Sequence, residues 1–331
     1  FEMILKNILS FPAFIIKFFI IFIFSFNSIS DDDVSKYYIE DKGTVSLMYH
    51  RFNESKYPST NIQMDIFEKQ INLIKSENLE IDNMENFNLN FSKNKDKKKI
   101  LITIDDAFSS FYKNAWPFLK KNKIPFILFV STEPVGKNGY MTWEEIKEID
   151  NSDFGYIGNH SHSHEYLISY KFNDFKKDID KSIKIFKENL GYNPIYFSYP
   201  FGEYSKEQRN YISKNFKFAF GQHSGVIDFN KDKFELPRFP INEKYGDLDR
   251  FKFLIKLLPL QYNKIKPDDK YIKKKDNPPD VSIEFFKDQK NIRNINCFSD
   301  EGPGWKKTKI TFEENLLKLN FIDKFKFRRG R

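Results

Sequence analysis

Three of the chain's five histidines fall at alternate positions in GNHSHSHEYL (158–167), as His160, His162 and His164. In an extended segment residues two apart share a face, and on a helix residues four apart meet on one turn. Under either geometry His160 and His164 can converge on one point. Two imidazoles aimed at one point suit a metal ion, but two ligands rarely hold one, so a third must come from elsewhere. The stretch TIDDAF (103–108) offers it, because Asp105 and Asp106 close an apolar run. Two adjacent carboxylates repel if both ionise in an apolar setting, which separates their roles: one can ligate a cation while the other acts as a base. Taken alone, the pair also fits a surface Asp-Asp turn or a helix N-cap by Asp106. Joined to the histidines, one carboxylate and two imidazoles make a three-ligand set with positions open to water, the arrangement of a catalytic metal.

These residues need elements to hold them. TVSLMYH (44–50), ILITIDD (100–106), PFILFVS (125–131), GYIGNH (155–160), PIYFSYP (194–200), FKFAFG (216–221) and ELPRFPI (235–241) read as strands. Helical spacing runs through Ile66, Phe67, Ile71 and Ile74 (about 65–77) and through Phe108, Phe111, Tyr112, Ala115, Phe118 and Leu119 (108–121). A longer helix steps through Phe172, Phe175, Ile179, Ile183, Phe186 and Leu190 and closes at Gly191. Continuous apolar strands alternating with helices predict a parallel α/β sheet, open or closed into a barrel. Asp105, Asp106, His160, Pro200-Phe201-Gly202 and Arg238 all fall at the C-terminal ends of predicted strands, the face where β/α barrels build their active sites. The pattern changes beyond about 250. After the polar, proline-containing stretch 266–280, the segments VSIEFF, NINCF, KITF and LKLNF predict a small β-rich appendage. The expected division is 44–250 for the α/β domain, 251–280 for a linker and 281–331 for the extension.

A chain of 331 residues can bury a sizeable core. It has 38 Phe and 54 Lys+Arg but only four alanines, Ala13, Ala107, Ala115 and Ala219. That bias looks like drift toward A/T-rich codons, which weakens the meaning of the net charge of +8. The lysines are scattered or lie in loops such as KNKDKKK (93–99), and no basic stripe interleaves with aromatics, so nucleic acid is not an expected partner. A single cysteine, Cys297, rules out an internal disulfide and any multi-cysteine metal site. At the start, Lys6 and Lys17 precede FFIIFIFSF (18–26), Ser28-x-Ser30 and DDD (31–33), the order of a secretory signal. The alternative is an uncleaved anchor over 1–30. Both place the rest of the chain outside the cytoplasm, periplasmic or at the cell surface, with membrane contact confined to that segment. A monomer is expected.

In this order and spacing, TIDDAF, NHSHSH, YPFGEY and LPRFPI resemble the polysaccharide deacetylase family with its NodB-type catalytic domain, over roughly residues 44–245. The resemblance implies an irregular (β/α)7 barrel and metal-dependent removal of acetyl groups from an acetylated polysaccharide. It makes Asp106, His160 and His164 the metal ligands, with His162 at the variable middle position. It makes Asp105 the general base on the attacking water and Arg238 the residue that holds and tunes that base. Phe201 matches the position whose backbone N–H helps stabilise the oxyanion, beside Pro200 and Gly202, with Tyr199 in the same substrate-contacting stretch. The family's usual general acid, in a Leu-x-His motif near the domain end, is missing; His223 in FGQHSG lies upstream of Arg238 in another context. Instead LMYH (47–50) resembles a circularly permuted branch that includes poly-N-acetylglucosamine deacetylases, which would make His50 the acid. Ile104 and Ala107 replace a common Phe and Gly, and FSYPFG lacks the arginine that many relatives carry before the proline.

Zinc is the default for this ligand set, and Fe2+, Co2+ or Ni2+ also suit it. Tyr140, Trp143, Tyr199 and Tyr204 can stack on sugars or pack the core. Three other readings share part of the pattern. A non-haem iron oxygenase leaves Asp105 and the YPFG loop without a role. A catalytically silent carbohydrate-binding module would keep the fold, and an O-acetyl esterase would use the same machinery.

Overall fold

The computed structural model describes residues 42–93 and 97–326; the N-terminal segment expected as a signal or anchor lies outside them. Eight strands form one sheet: β1 (Thr44–Tyr49), β2 (Glu80–Ile81), β3 (Lys99–Asp105), β4 (Phe126–Val130), β5 (Gly155–Asn159), β6 (Tyr196–Ser198), β7 (Phe218–Phe220) and β8 (Phe239–Pro240). Their order is β8-β1-β3-β4-β5-β6-β7, with β2 beside the start of β3, and every pairing is parallel. The run into β8 closes the circuit, since Leu236 bridges Phe220 and exchanges backbone bonds with Ala219 and Gly221. Seven strands therefore ring the interior. This is the irregular barrel expected from the strand pattern and the motifs.

Parallel strands covered on both faces read as unbroken apolar runs, and β1 and β4 are buried along their whole length. Alternation sorts their side chains. Ile100, Ile102 and Ile104 of β3 join an outer layer with Val45, Leu47, Leu128 and the helices. Leu101 points the other way, into an interior cluster with Ile127, Phe129, Phe218 and Phe220. Thr103 and Asp105 follow Leu101 at steps of two, so the same period that packs the strand aims Asp105 inward.

Among the described residues seven α-helices flank the sheet: α1 (Met64–Ser76), α2 (Met84–Lys93), α3 (Trp116–Asn122), α4 (Trp143–Asp150), α5 (Phe172–Leu190), α6 (Lys206–Asn215) and α7 (Leu248–Leu254). α1 and α5 fall where periodicity predicts them, and α5 ends on Gly191 at φ 82°. The helix predicted over 108–121 is not uniform. Phe111–Ala115 winds as a π-helix, with the Trp116 amide reaching back to the Phe111 carbonyl, before α3 begins. Pro117 explains the join: it has no N–H for the carbonyl four residues earlier, so a regular α-turn would lack a bond there.

Beyond the barrel, β9 (Lys264–Lys266), β10 (Val281–Glu284), β11 (Lys309–Glu313) and β12 (Leu316–Asn320) form an antiparallel sheet in the order β9-β10-β12-β11. A two-stranded pair, Phe298–Ser299 with Lys306–Lys307, lies in the same region. Hydrogen bonds from the Lys206 amide to Asp269 and from Gln261 to Asp228 tie this part to the barrel. Among the described residues no helix is long and apolar enough to cross a membrane.

Candidate active site

Strand alternation would send Asp106 to the outer face of β3. It does not go there, because Asp106 and Ala107 adopt φ of 76° and 52°. This left-handed turn curls Asp106 back over the barrel mouth, beside Asp105. Non-glycine residues at such angles are strained, and they gather at functional sites.

On the neighbouring arc, β5 carries the chain to His160, which is fully buried. The loop after it is fixed from α5. Both carboxylate oxygens of Asp178 accept backbone amides, from His162 at 2.9 Å and Ser163 at 3.0 Å. Asn159 accepts the Ser161 amide and donates to Ser182. Ser161 and His164 take φ of 71° and 54°, and this reversal turns the His164 ring back toward His160, with ring centroids 4.8 Å apart.

Asp106 Oδ1 lies 3.0 Å from His164 Nε2 and 3.5 Å from His160 Nε2. One ligand atom from each of the three residues lies within 4.8 Å of the others. His160 Nδ1 sits 2.7 Å from the Ser198 carbonyl, which can only accept, so the proton is on Nδ1 and Nε2 presents a lone pair. Asp106 Oδ1 and His160 Nε2 are both buried without a hydrogen-bond partner, and a bound cation is what such orphans lack. The donors are those of a divalent-metal site. Their protonation suits it too, since ligands must be carboxylate and neutral imidazole. Burial pushes the His160 pKa down to about 4. Burial alone would raise Asp106, but the close approach and charge of His164 outweigh it and hold this carboxyl well below its usual range. Burial lowers and Asp106 raises His164, with a net upward shift, so a metal must displace its proton at acidic pH.

His162 points elsewhere. Its Nδ1 is 2.8 Å from Thr132 Oγ1 and its Nε2 4.0 Å from Glu133, clear of the three converging groups.

Arg238 is fully buried and makes five hydrogen bonds, one for each donor of a guanidinium. Nη1 and Nη2 grip Asp105 at 2.7 and 2.9 Å, while the remaining donors reach Thr103 Oγ1, Ser198 Oγ and the Gly221 carbonyl. Burial would raise Asp105, yet the charges of Arg238 and His160 lower it. His50 ends β1 half-buried, and its charge contributes to the lowering at both Asp105 and Asp106, which places it at the same mouth. His223 is exposed on the rim, and its carbonyl accepts the Arg238 amide.

In the YPFG turn, the Gly202 and Glu203 amides bond back to Tyr199 and Pro200, and Phe201 sits at φ 57°. The Phe201 ring lies 5.0 Å from His164. Tyr199 departs from its expected place among substrate-contacting side chains. It is 1% exposed, stacks on Tyr204 and donates to the Phe234 carbonyl, because the inward register of β6 runs on into the core beneath α6. Tyr204 is buried with it, and Trp143 packs edge-on against Phe186. Of the four aromatics singled out in the sequence, Tyr140 is the one that packs on Phe108, two residues past Asp106, with ring centroids 5.0 Å apart; burial and then the Asp106 charge raise its hydroxyl pKa. Sequence reading missed Thr103, Asn159, Asp178 and Ser198, although Asp178 is an acidic residue inside the apolar stripe of α5, between Phe175 and Ile179.

Comparison with known proteins places this geometry. Residues 92–217 match the family model described as polysaccharide deacetylase. A poly-beta-1,6-N-acetyl-D-glucosamine N-deacetylase from Staphylococcus aureus is 25% identical over 255 residues, covering 68% of this chain and 86% of the relative. The enzyme of the same name from Staphylococcus epidermidis is 23% identical over 259 residues, covering 70% and 88%. Among solved structures, IcaB from Ammonifex degensii aligns with a TM-score of 0.59 at 25% identity, over 66% of this chain and 99% of its own. The Streptococcus pyogenes deacetylase PplD, in complex with acetate, aligns with a TM-score of 0.59 at 22% identity, over 66% and 100%. Residues 92–217 thus match a polysaccharide deacetylase domain.

Proposed function

We propose that this protein is a metal-dependent hydrolase that removes N-acetyl groups from an amino-sugar polysaccharide, poly-N-acetylglucosamine in the first place. The observation that carries the reading is the convergence of Asp106, His160 and His164 beside a buried Asp105 gripped by Arg238. The names of the staphylococcal relatives favour this substrate over chitin-like or peptidoglycan-like polymers.

Asp106, His160 and His164 hold the metal, with zinc the first expectation from the donor set. When bound, such an ion acts as a Lewis acid on the acetyl carbonyl and lowers the pKa of water. Asp105 takes the proton of the attacking water. Arg238 keeps Asp105 ionised and fixed in direction, so little reorganisation is needed as that proton moves. The Phe201 amide donates to the developing oxyanion. His50, on the opposite side of the mouth, returns a proton to the departing amine. The ordered loop from Asn159 to His164 holds both imidazoles in place before substrate arrives.

We assign the reaction to the 44–250 domain, 251–280 to a linker and 281–331 to an accessory extension. A site of action outside the cytoplasm follows from the secretory pattern of the first thirty residues, and intact mass of the mature chain tests whether that segment is removed.

The central experiment loads purified protein with Zn2+ and measures acetate released from N-acetylated and O-acetylated glycans. Release from the N-acetylated polymer is expected. Preference for the O-acetylated glycan would make the protein an esterase, and glycan binding with full metal but no acetate would make it a binding module. Metal content separates the histidines: His164→Ala loses most of the ion and His162→Ala keeps it, whereas equal loss would reverse that assignment.

A further inference from the structure

We infer that Asp178, a residue of α5 outside the ligand set, is the positioning residue that sets the affinity of the metal site; this rests on the metal-dependent reading above. Four consecutive amides between the two ligating histidines are each taken by a side-chain oxygen. Ser161 donates to Asn159 Oδ1 at 2.8 Å, His162 and Ser163 to the two oxygens of Asp178 at 2.9 and 3.0 Å, and His164 to Ser161 Oγ at 3.1 Å. A segment whose amides are satisfied this way takes the shape its side-chain partners dictate. Two of the four bonds end on Asp178.

That shape is not one the chain adopts freely. Ser161 and His164 sit at φ 71° and 54°, left-handed angles that disfavour any residue with a Cβ. Once released, the segment relaxes toward ordinary angles and the His164 ring leaves His160. On its far side the segment is fixed by main chain from the end of β4, where the Thr132 and Glu133 amides donate to the Ser161 and His162 carbonyls. On its near side the grip comes from α5. Asp178 is buried between Phe175 and Ile179, so its carboxylate has a fixed origin. One helical turn on, Ser182 bonds Asn159, which holds the Ser161 amide.

Two successive N–H groups aimed at one point make a nest for an anion. A carboxylate fills it with two oxygens, whereas the isosteric amide offers one oxygen and turns an N–H toward the other donor. Ligands already in place lose little freedom when an ion binds, and ligands that must be gathered lose more. The His162 ring has no part in this, because the bonds that hold its residue to Asp178 and Glu133 are made by its backbone.

The test measures Zn2+ affinity of the full chain by competition with a chromophoric chelator, at a temperature where melting curves of the metal-free proteins show each variant folded. Asp178→Asn should weaken Zn2+ binding by about 10- to 100-fold, the usual scale for a residue that orients metal ligands. Ile179→Val, the next residue of α5 and fully buried, should lower the melting temperature yet keep the native affinity. His162→Ala should keep it as well. Native affinity in Asp178→Asn would overturn the inference and spare the metal site. Equal weakening in Ile179→Val would also overturn it, by making general loosening of α5 the cause. A native protein that binds no Zn2+ would bring down the metal-dependent reading and the inference together.

Discussion

The barrel buries a carboxylate at each end, and the two behave in opposite ways. At the mouth, Asp105 is held by a forked arginine whose every donor is engaged, and its pKa falls. At the N-terminal end of β3, Asp82 is 1% exposed, and neither carboxylate oxygen has a hydrogen-bond partner. Its nearest cation, Lys99, stays 3.6 Å away and sits closer to Glu80, at 3.0 Å. Burial therefore prevails over the lysine, and the Asp82 pKa rises to about 6. Equal burial gives opposite shifts because a rigid planar donor solvates a carboxylate from two directions, whereas a shared ammonium does not. The chain places the well-solvated charge where the chemistry is.

Breaking the first pair should have the largest effect. Arg238→Met strands Asp105 in the interior and should cost about 3–5 kcal/mol in urea denaturation. Arg238→Lys should recover only part of that, because an ammonium cannot fork; full recovery would show that charge alone matters at the mouth.

Removing the second carboxylate should do the reverse. Folding raises the Asp82 pKa from 3.8 to about 6, so the folded chain keeps a proton that the unfolded chain has lost. This stability is fully present below about pH 4 and is lost as pH rises through about 6. A shift of about two units corresponds to about 3 kcal/mol. Asp82→Asn should therefore be more stable than the native protein by up to that amount at pH 8 and equal to it at pH 4. Thermal unfolding of both proteins across this range decides the matter, and a constant offset would mean that Asp82 is not the titrating group.

Metal should sharpen the contrast, since the proposed ligand set lies at only one end. Zn2+ at a hundredfold excess over its Kd should stabilise the fold by about 2.7 kcal/mol. That gain should vanish in His164→Ala, persist in His162→Ala and Asp82→Asn, and reverse on chelation. The smallest expected effect is at the turn that delivers Asp106. Ala107 sits at φ 52°, where glycine is unstrained. Ala107→Gly should stabilise by about 0.5–1 kcal/mol in the same denaturation assay, with metal affinity unchanged.

Sequence made the mouth more legible than the base. His160, His164, Asp105 and Asp106 announce themselves because few environments tolerate such groups at the ends of apolar strands. Asp82 sends no such signal, since EID between two helices reads as a surface turn and only the two-residue pairing of β2 with β3 buries it. Tyr199 was misjudged because a motif fixes chain position, not which way a ring turns. α4 and α6 were readable and went unread: Thr142 with Glu145 and Ser205 with Gln208 both form capping boxes. The stacking of Arg51 between Tyr57 and Phe108 joins loops more than fifty residues apart, beyond the reach of any local pattern.

The bond from Arg238 to Asp105 spans 133 residues of chain, and β8 pairs with β1, the first strand of the barrel. During synthesis Asp105 emerges long before Arg238, whose guanidinium grips it with two hydrogen bonds in the dry interior. A nascent chain that ends before Arg238 has every ligand of the metal site but no stable way to close around Asp105. Such high contact order slows folding and exposes unpaired strand edges while it lasts. The catalytic end of this barrel is therefore assembled last, and truncations that leave all the recognisable motifs up to YPFG intact should still yield chains that aggregate rather than fold.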